Sequence, residues 1–118
     1  MTGITKKTFD APDETRTPPK AKAEVVRLGD SSVGRLTAEP GWRWSEHMAP
    51  VVQTDSCQSR HVGVMVSGAF HIVHEDGNES DIQAGDVYRI EPGHDAWVLG
   101  DEPAVALEFE SAETYAKA

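Results

Sequence analysis

Short apolar segments separated by turn residues make up most of the chain after residue 23, and this pattern restricts the possible folds more than any other feature. Glycines that suit tight turns recur at Gly68, Gly77, Gly85, Gly93 and Gly100. Segments of this length and composition are typical of β-strands. The predicted strands cover residues 24–28, 33–38, 42–48, 61–66, 69–74, 79–83, 87–90, 94–99 and 104–110. About nine short strands with almost no helix predict an all-β sandwich or barrel, and closing into a barrel would remove exposed strand edges.

The two ends of the chain differ from this strand-rich region. Residues 1–23 contain Pro12, Pro18 and Pro19 and no apolar periodicity, so they predict an extended or partly disordered arm. Simple flexibility and an arm that crosses to a second subunit both fit this composition. Ser111 is a candidate N-cap for a short helix. The predicted organisation is therefore an arm at 1–23, a β-barrel at 24–110 and a helical tail at 111–118.

The charge and hydropathy of the chain exclude some classes of protein. The formal net charge is −9, from 20 acidic and 11 basic residues, which argues against nucleic-acid binding because phosphate contacts need clustered Lys and Arg. No apolar run approaches the roughly 20 residues of a membrane helix. The first residues also lack the apolar segment of a secretory signal. We therefore expect a cytoplasmic protein that contacts neither nucleic acid nor membrane.

Residues that commonly bind transition metals are concentrated between Gly41 and Gly68. His47, Cys57 and His61 lie in this stretch, and the segment that starts at His61 is a predicted strand. Cys57 is the one cysteine in the chain and cannot form an internal disulfide. It is therefore a free thiol, a metal ligand or a small buried apolar residue.

The arrangement of these residues resembles that of small single-domain cupins, which are double-stranded β-helix barrels of the jelly-roll type. The first cupin motif is commonly G-x5-H-x-H-x3,4-E-x6-G. Here five residues separate Gly41 from His47, and six separate His61 from Gly68. The second motif is commonly G-x5-P-x-G-x2-H-x3-N, and here Gly85 opens a strand that leads to the sequence Pro92-Gly93-His94. The resemblance covers roughly residues 33–109 and implies the jelly-roll barrel fold.

The chain departs from the family pattern at the ligand positions. Cys57 stands in the place of the second histidine of the first motif, His61 in the place of its glutamate, and Ala96 in the place of the histidine of the second motif. His94 precedes Ala96 by two residues and shares its strand face. The resemblance thus implies a site at the usual place, built from His47, Cys57, His61 and His94.

This set of nitrogen and sulfur ligands favours a divalent transition metal, Zn²⁺ or Fe²⁺, over Mg²⁺ or Mn²⁺. Four bound ligands would close a tetrahedral Zn²⁺ site. If three histidines bind the ion and Cys57 does not, a coordination position stays open for water or substrate.

Four further residues are candidates for a substrate pocket. Trp42 and Trp44 flank the entrance to the first motif, and Met65 shares a strand face with His61. Arg89 is a candidate partner for a substrate carboxylate, although Glu91 is an equally suitable partner for it. The tryptophans also fit a role in the core or in a subunit interface.

The functional hypothesis is a metal-binding cupin that binds or acts on a small organic molecule inside the barrel. The chemistry expected from the resemblance is oxygenation, isomerisation or lysis, and the ligand set does not choose among them. A non-catalytic module that binds or senses a small molecule or metal is the alternative, and a metal-free barrel with a vestigial site is a third. The resemblance also implies a homodimer that pairs through a sheet face.

Overall fold

The computed structural model describes residues 3–109 and shows an all-β fold with two short helices. In chain order the elements are β1 (Glu14–Arg16), β2 (Ala21–Leu28), β3 (Ser31–Ala38), α1 (Trp44–His47), α2 (Ala49–Val52), β4 (His61–Ser67), β5 (Ala69–His74), β6 (Glu79–Gln83), β7 (Val87–Ile90), β8 (His94–Leu99) and β9 (Ala104–Glu108). The strands from β4 onward confirm the strands predicted from the turn residues.

The strands form two antiparallel sheets whose inner faces enclose the core. The larger sheet has the order β1-β2-β3-β9-β4-β7, and the smaller sheet has the order β6-β5-β8. Side chains alternate between the core and the outer surface along each strand. On β4 the residues that face inward are His61, Gly63 and Met65. On β9 they include Ala106 and Glu108, so one face of each strand is apolar except for a single ionisable residue.

The turn between β4 and β5 shows why a glycine stands at position 68. Gly68 has a φ of +69°, a backbone conformation that side chains disfavour. A Cβ atom at this position would also lie 2.3 Å from the carbonyl oxygen of Pro103. Gly68, which ends the predicted first motif, is therefore required both by the turn and by the close approach of the chain before β9.

The strand predicted at residues 42–48 is wrong, because the chain forms α1 and α2 here. Trp44 and Met48 are both buried, and residues four apart lie on the same side of a helix. Pro50 lies in the first turn of α2, where the missing N–H of proline costs nothing. The predicted loop at residues 50–60 is correspondingly shorter, since α2 occupies its start.

The predicted N-terminal arm is not confirmed. The β1 strand lies within residues 1–23, and β2 begins at Ala21 rather than at Glu24. Ahead of β1, the guanidinium of Arg35 lies 4.8 Å from the ring centre of Phe9, on the outer face of the larger sheet. The predicted helical tail lies outside the described residues. Among the described residues, no helix has the length and apolar character needed to cross a membrane.

The segment between β3 and β4 runs along the edge of the smaller sheet. Near its start, Val98 of β8 donates its backbone N–H to the carbonyl of Trp42 at 3.0 Å. Near its end, Cys57 donates to the carbonyl of His94 at 2.8 Å, and Gly93 donates to the carbonyl of Cys57 at 2.7 Å. These backbone hydrogen bonds cover the outer edge of β8 and bring Cys57 beside His94.

Candidate metal centre

Three side chains that commonly bind metals meet in the interior between the two sheets. They are Cys57, His61 and His94, and their ligating atoms all lie within 4.8 Å of one another. The Sγ atom of Cys57 is 3.5 Å from Nε2 of His61. The rings of His61 and His94 lie edge to face, with 5.0 Å between their centres. All three residues are buried, with exposed fractions of 3%, 6% and 4%.

A buried carboxylate holds the ring of His61 in place. Nδ1 of His61 donates a hydrogen bond to Oε1 of Glu108, which is fully buried on β9. The hydroxyl of Tyr88 on β7 donates to the other carboxylate oxygen, Oε2, at 2.6 Å. Because Nδ1 carries the proton in this arrangement, Nε2 of His61 presents its lone pair toward Cys57 in the neutral ring.

Gly63 makes the approach of Glu108 to His61 possible. A Cβ atom at position 63 would lie 2.3 Å from the carbonyl oxygen of Leu107 and 2.4 Å from Oε2 of Glu108. It would also lie 2.8 Å from the hydroxyl of Tyr88. The absence of a side chain on β4 therefore leaves the space that the Glu108 carboxylate and the Tyr88 hydroxyl occupy.

The second imidazole is oriented by the turn before β8. Nδ1 of His94 lies 2.9 Å from the backbone carbonyl oxygen of Glu91, which can only accept a hydrogen bond. Nδ1 must therefore carry the proton, and Nε2 is left with its lone pair. Histidines that bind metals commonly donate their other N–H to a carboxylate or a backbone carbonyl. His61 and His94 use one of these partners each.

The electrostatics of the cluster favour the ionised thiol. Burial raises the pKa of Cys57, but hydrogen bonds and charges from His61 and His94 outweigh burial and lower this pKa to about 6. Burial lowers the pKa of His61, but hydrogen bonds with Cys57 and Glu108 outweigh it and raise this pKa to about 9. The thiolate is the form of cysteine that binds metals.

The donor set fits a divalent transition metal. In a tetrahedral site with Zn–N and Zn–S bonds of roughly 2.0–2.3 Å, neighbouring ligand atoms are roughly 3.3–3.7 Å apart. The 3.5 Å between Sγ of Cys57 and Nε2 of His61 lies within that range. Three protein ligands are the number found in catalytic zinc sites, where a fourth position binds water or substrate.

An apolar cavity of about 50 Å³ adjoins the cluster. His61, His94, Glu108 and Tyr88 contribute polar groups to its lining. The rest of the lining is mostly apolar, and its larger residues are Trp42, Trp44, Phe70, Ile72, Ile82 and Ile90. Because two of the candidate metal ligands line this cavity, a compact molecule inside it would lie next to a bound ion.

Three of the four predicted metal ligands lie together in the structure, and the fourth lies elsewhere. Cys57, His61 and His94 come together, whereas His47 lies in α1 and accepts a hydrogen bond on Nδ1 from the backbone N–H of Arg43 at 3.0 Å. His47 is not part of the cluster because residues 44–47 are helical rather than extended.

The four residues predicted for the substrate pocket do not lie together in the structure either. Trp42 and Trp44 line the cavity, while Met65 is buried in the core and is not among the lining residues. The side chain of Arg89 is 67% exposed and forms an ion pair with Glu91 at 3.2 Å, because Arg89 is on the outward face of β7.

Sequence reasoning missed Glu108 and the role of Tyr88. One signal for Glu108 was present in the sequence. Ala104, Ala106 and Glu108 alternate along a predicted strand, so the acid belongs to the apolar, inward face. An acidic residue at such a position is rarely buried without a partner.

Comparison with known proteins supports the fold. No protein-family model matches the chain, and no curated protein matches it. Among solved structures, KdgF from a Halomonas species is similar over 91% of this chain and 91% of its own, with a TM-score of 0.61 and 17% identity.

Two further structures are similar at comparable identity. A cupin-like protein from Thermotoga maritima matches 83% of this chain and 72% of its own, with a TM-score of 0.53 and 15% identity. A variant of oxalate decarboxylase OxdC from Bacillus subtilis matches 94% of this chain and 31% of its own, with a TM-score of 0.61 and 16% identity. At these identities the similarity concerns the fold alone, and the fold of this chain is that of the cupin-like β-sandwich proteins.

Proposed function

We propose that Cys57, His61 and His94 bind one divalent transition metal, Zn²⁺ or Fe²⁺, and that the adjoining cavity receives a small organic molecule. The observation that carries this proposal is the convergence of three buried ligating atoms within 4.8 Å. The orientation of both imidazoles supports it, since each donates Nδ1–H to an oxygen and keeps Nε2 for the ion.

A bound ion would supply Lewis-acid activation of an oxygen-bearing molecule or of water at its open position. The chain's own residues have separate tasks. Cys57, His61 and His94 hold the ion, and Glu108 fixes the tautomer of His61. Tyr88 donates to Glu108 and thereby limits the orientations of its carboxylate. The tryptophans and isoleucines of the cavity exclude bulk water from the same space.

Non-catalytic binding or sensing is the second candidate. The burial of all three candidate ligands favours it, because a reactant would need a path to an ion enclosed between the two sheets. Turnover of any added compound by the metal-loaded protein would favour the enzymatic alternative. Binding without chemical change would favour the sensor.

Metal titration of the purified protein tests the proposal. We expect one Zn²⁺ per chain by elemental analysis after reconstitution and gel filtration. His61→Ala and His94→Ala should each lose at least tenfold in Zn²⁺ affinity, because each removes one of three ligands, and Cys57→Ser should weaken binding and shift preference toward harder metals. Competition with a chromophoric chelator measures these affinities.

His47→Ala is the matched control for these variants. It removes an imidazole from α1 without touching the cluster, so Zn²⁺ affinity should stay within twofold of the starting protein. Metal content far below one per chain, or equal affinities for all four variants, would contradict the proposal.

We also propose that the protein is a homodimer formed through the outer face of the larger sheet. Leu107, Val64 and Val87 are cross-strand neighbours on that face, and Val87 is 80% exposed. Phe109, the residue after β9, is 52% exposed. A neutral apolar row is the part of this acidic surface on which two copies would repel each other least.

Light scattering coupled to size exclusion tests the dimer. The unaltered chain should elute with twice the chain mass. Val87→Lys should shift the equilibrium toward the monomer, because it places a charge at the most exposed residue of the apolar row. Asn78→Lys introduces the same charge at an exposed turn outside the row and should leave the dimer intact. A monomeric mass for the unaltered chain would refute this proposal.

A further inference from the structure

Among residues 3–109, one buried polar atom of a cavity-lining residue has no hydrogen-bond partner. Trp42 is 3% exposed and lines the cavity, and its ring meets Phe70 edge to face with 5.7 Å between centres. Its Nε1–H is the buried side-chain nitrogen or oxygen that lacks a partner among residues 3–109. Indole N–H groups usually find an acceptor when they are buried, because an unsatisfied donor loses its hydration without compensation.

The lining of the cavity makes a bound molecule the natural acceptor for this donor. The two histidines and Tyr88 of the cavity already use donors within the chain. Nδ1 of His61 donates to Glu108, Nδ1 of His94 donates to a carbonyl, and Tyr88 donates to Glu108. Trp42 is thus a lining residue with a fully buried donor that is not used within residues 3–109, and it lines the same cavity as the ligating histidines.

The charge of the site indicates whether the ligand that supplies this acceptor is charged. On metal binding, His61 and His94 would be neutral, while the thiolate of Cys57 and the carboxylate of Glu108 together balance the two charges of a divalent ion. Within residues 3–109, no Lys or Arg lines the cavity. An anionic ligand would therefore leave an unbalanced charge in a water-poor space, whereas an uncharged ligand would not.

The size of the cavity limits the ligand further. A volume of about 50 Å³ corresponds to the space of roughly three to five water molecules. Since the walls are mostly apolar, a ligand of this size needs an apolar body and one oxygen to accept from Trp42.

We propose that Trp42 is the specificity-determining donor of the cavity and that the ligand is a small, uncharged molecule bearing a carbonyl-type oxygen. This inference rests on the proposed function, because the charge balance assumes a divalent ion at Cys57, His61 and His94. It adds a residue outside the metal cluster and a chemical class of ligand.

The indole proton of Trp42 provides a direct test by ¹H–¹⁵N NMR of the Zn²⁺-loaded protein. Acetone is the probe, because it is an uncharged carbonyl compound of about the right size. We expect acetone to shift one of the three indole Nε1–H resonances downfield in a saturable manner. Trp44→Phe and Trp97→Phe should each remove a different resonance and leave the shifting one in place, which assigns it to Trp42.

Two comparisons make the outcome specific. Acetate has the same number of heavy atoms as acetone and nearly the same shape but carries a negative charge, and it should produce no saturable shift at the same concentrations. Trp42→Phe should weaken acetone binding about fivefold to tenfold, the effect of losing one neutral hydrogen bond. Phe fills most of the space of Trp, so we expect the fold to be retained, and thermal unfolding of this variant checks this. The titration of the unaltered protein does not depend on the variant.

Each result has a defined meaning. Normal Zn²⁺ binding with no saturable shift of the Trp42 indole would overturn this inference and leave the metal proposal in place. A tighter response to acetate than to acetone would overturn the ligand class. Failure to bind Zn²⁺ would overturn the proposed function and this inference with it.

Discussion

Replacement of Glu108 by leucine should lower the free energy of unfolding by about 3–5 kcal/mol, the usual cost of removing one partner of a buried ion pair. Leucine approximates the volume of glutamate, so the loss arises from polar groups and not from a cavity. His61 would keep a buried Nδ1–H and Tyr88 a buried hydroxyl, both deprived of the carboxylate that now accepts from them. Urea unfolding of the metal-free protein measures this change.

Glu108→Gln separates the charge of this residue from its shape. Glutamine can still accept from His61, so we expect the fold to survive with a smaller loss of stability. Zn²⁺ affinity should nevertheless fall about tenfold to 100-fold, the typical effect of altering the partner of a metal-binding histidine. Glu79→Gln is the matched control, because the Glu79 side chain is 62% exposed and its carboxylate pairs with His71, away from the cluster. Equal stability and equal affinity for all of these variants would show that Glu108 does not support His61.

Replacement of Gly63 by alanine is the second change with a large expected effect. The new Cβ would meet the backbone oxygen of Leu107 at 2.3 Å, and this oxygen can move only if β9 moves. Overpacking of a core typically costs about 1–3 kcal/mol, and we expect a value near the top of this range because the contact is with backbone. The same Cβ would displace the Glu108 carboxylate, so Zn²⁺ affinity should fall as well.

Gly3→Ala is the control for this prediction. A Cβ at Gly3 would have no atom within 4 Å, so the substitution should change neither stability nor Zn²⁺ affinity. The double variant with Tyr88→Phe adds a second check. It relieves the 2.8 Å contact with the hydroxyl but not the contact with the backbone of β9, so stability should not recover. A stable Gly63→Ala protein with unchanged affinity would refute the packing described for this position.

The strands from β4 to β9 were predictable because turn glycines and alternating apolar residues agreed in each of them. The structure of the region around Trp42 was not predictable, because the spacing of its apolar residues fits both a strand and a helix. Trp42 and Trp44 are two apart, as on a strand face, while Trp44 and Met48 are four apart, as on a helix face. Packing of the helical face into the core decided the outcome, and the sequence alone did not contain that information.

The candidate site was predictable only in part, for a related reason. His61 and His94 lie on strands whose inward face follows from alternation, and the structure brings them together with Cys57. The orientation of His47 depended on the uncertain segment 42–48. Glu108 is separated from His61 by 47 residues along the chain, and their contact depends on the pairing of β9 with β4. Strand order of this kind is set by the whole fold.

The backbone pairing of Cys57 with Gly93 and His94 has a kinetic consequence. Two hydrogen bonds, at 2.8 and 2.7 Å, fasten the end of a long connecting segment to β8, so one local opening event would release Cys57 and uncover one side of the cluster. The rate at which ions enter and leave would then follow the rate of this opening rather than the strength of the coordinate bonds. Hydrogen exchange at the amides of Cys57 and Gly93 would report that rate directly.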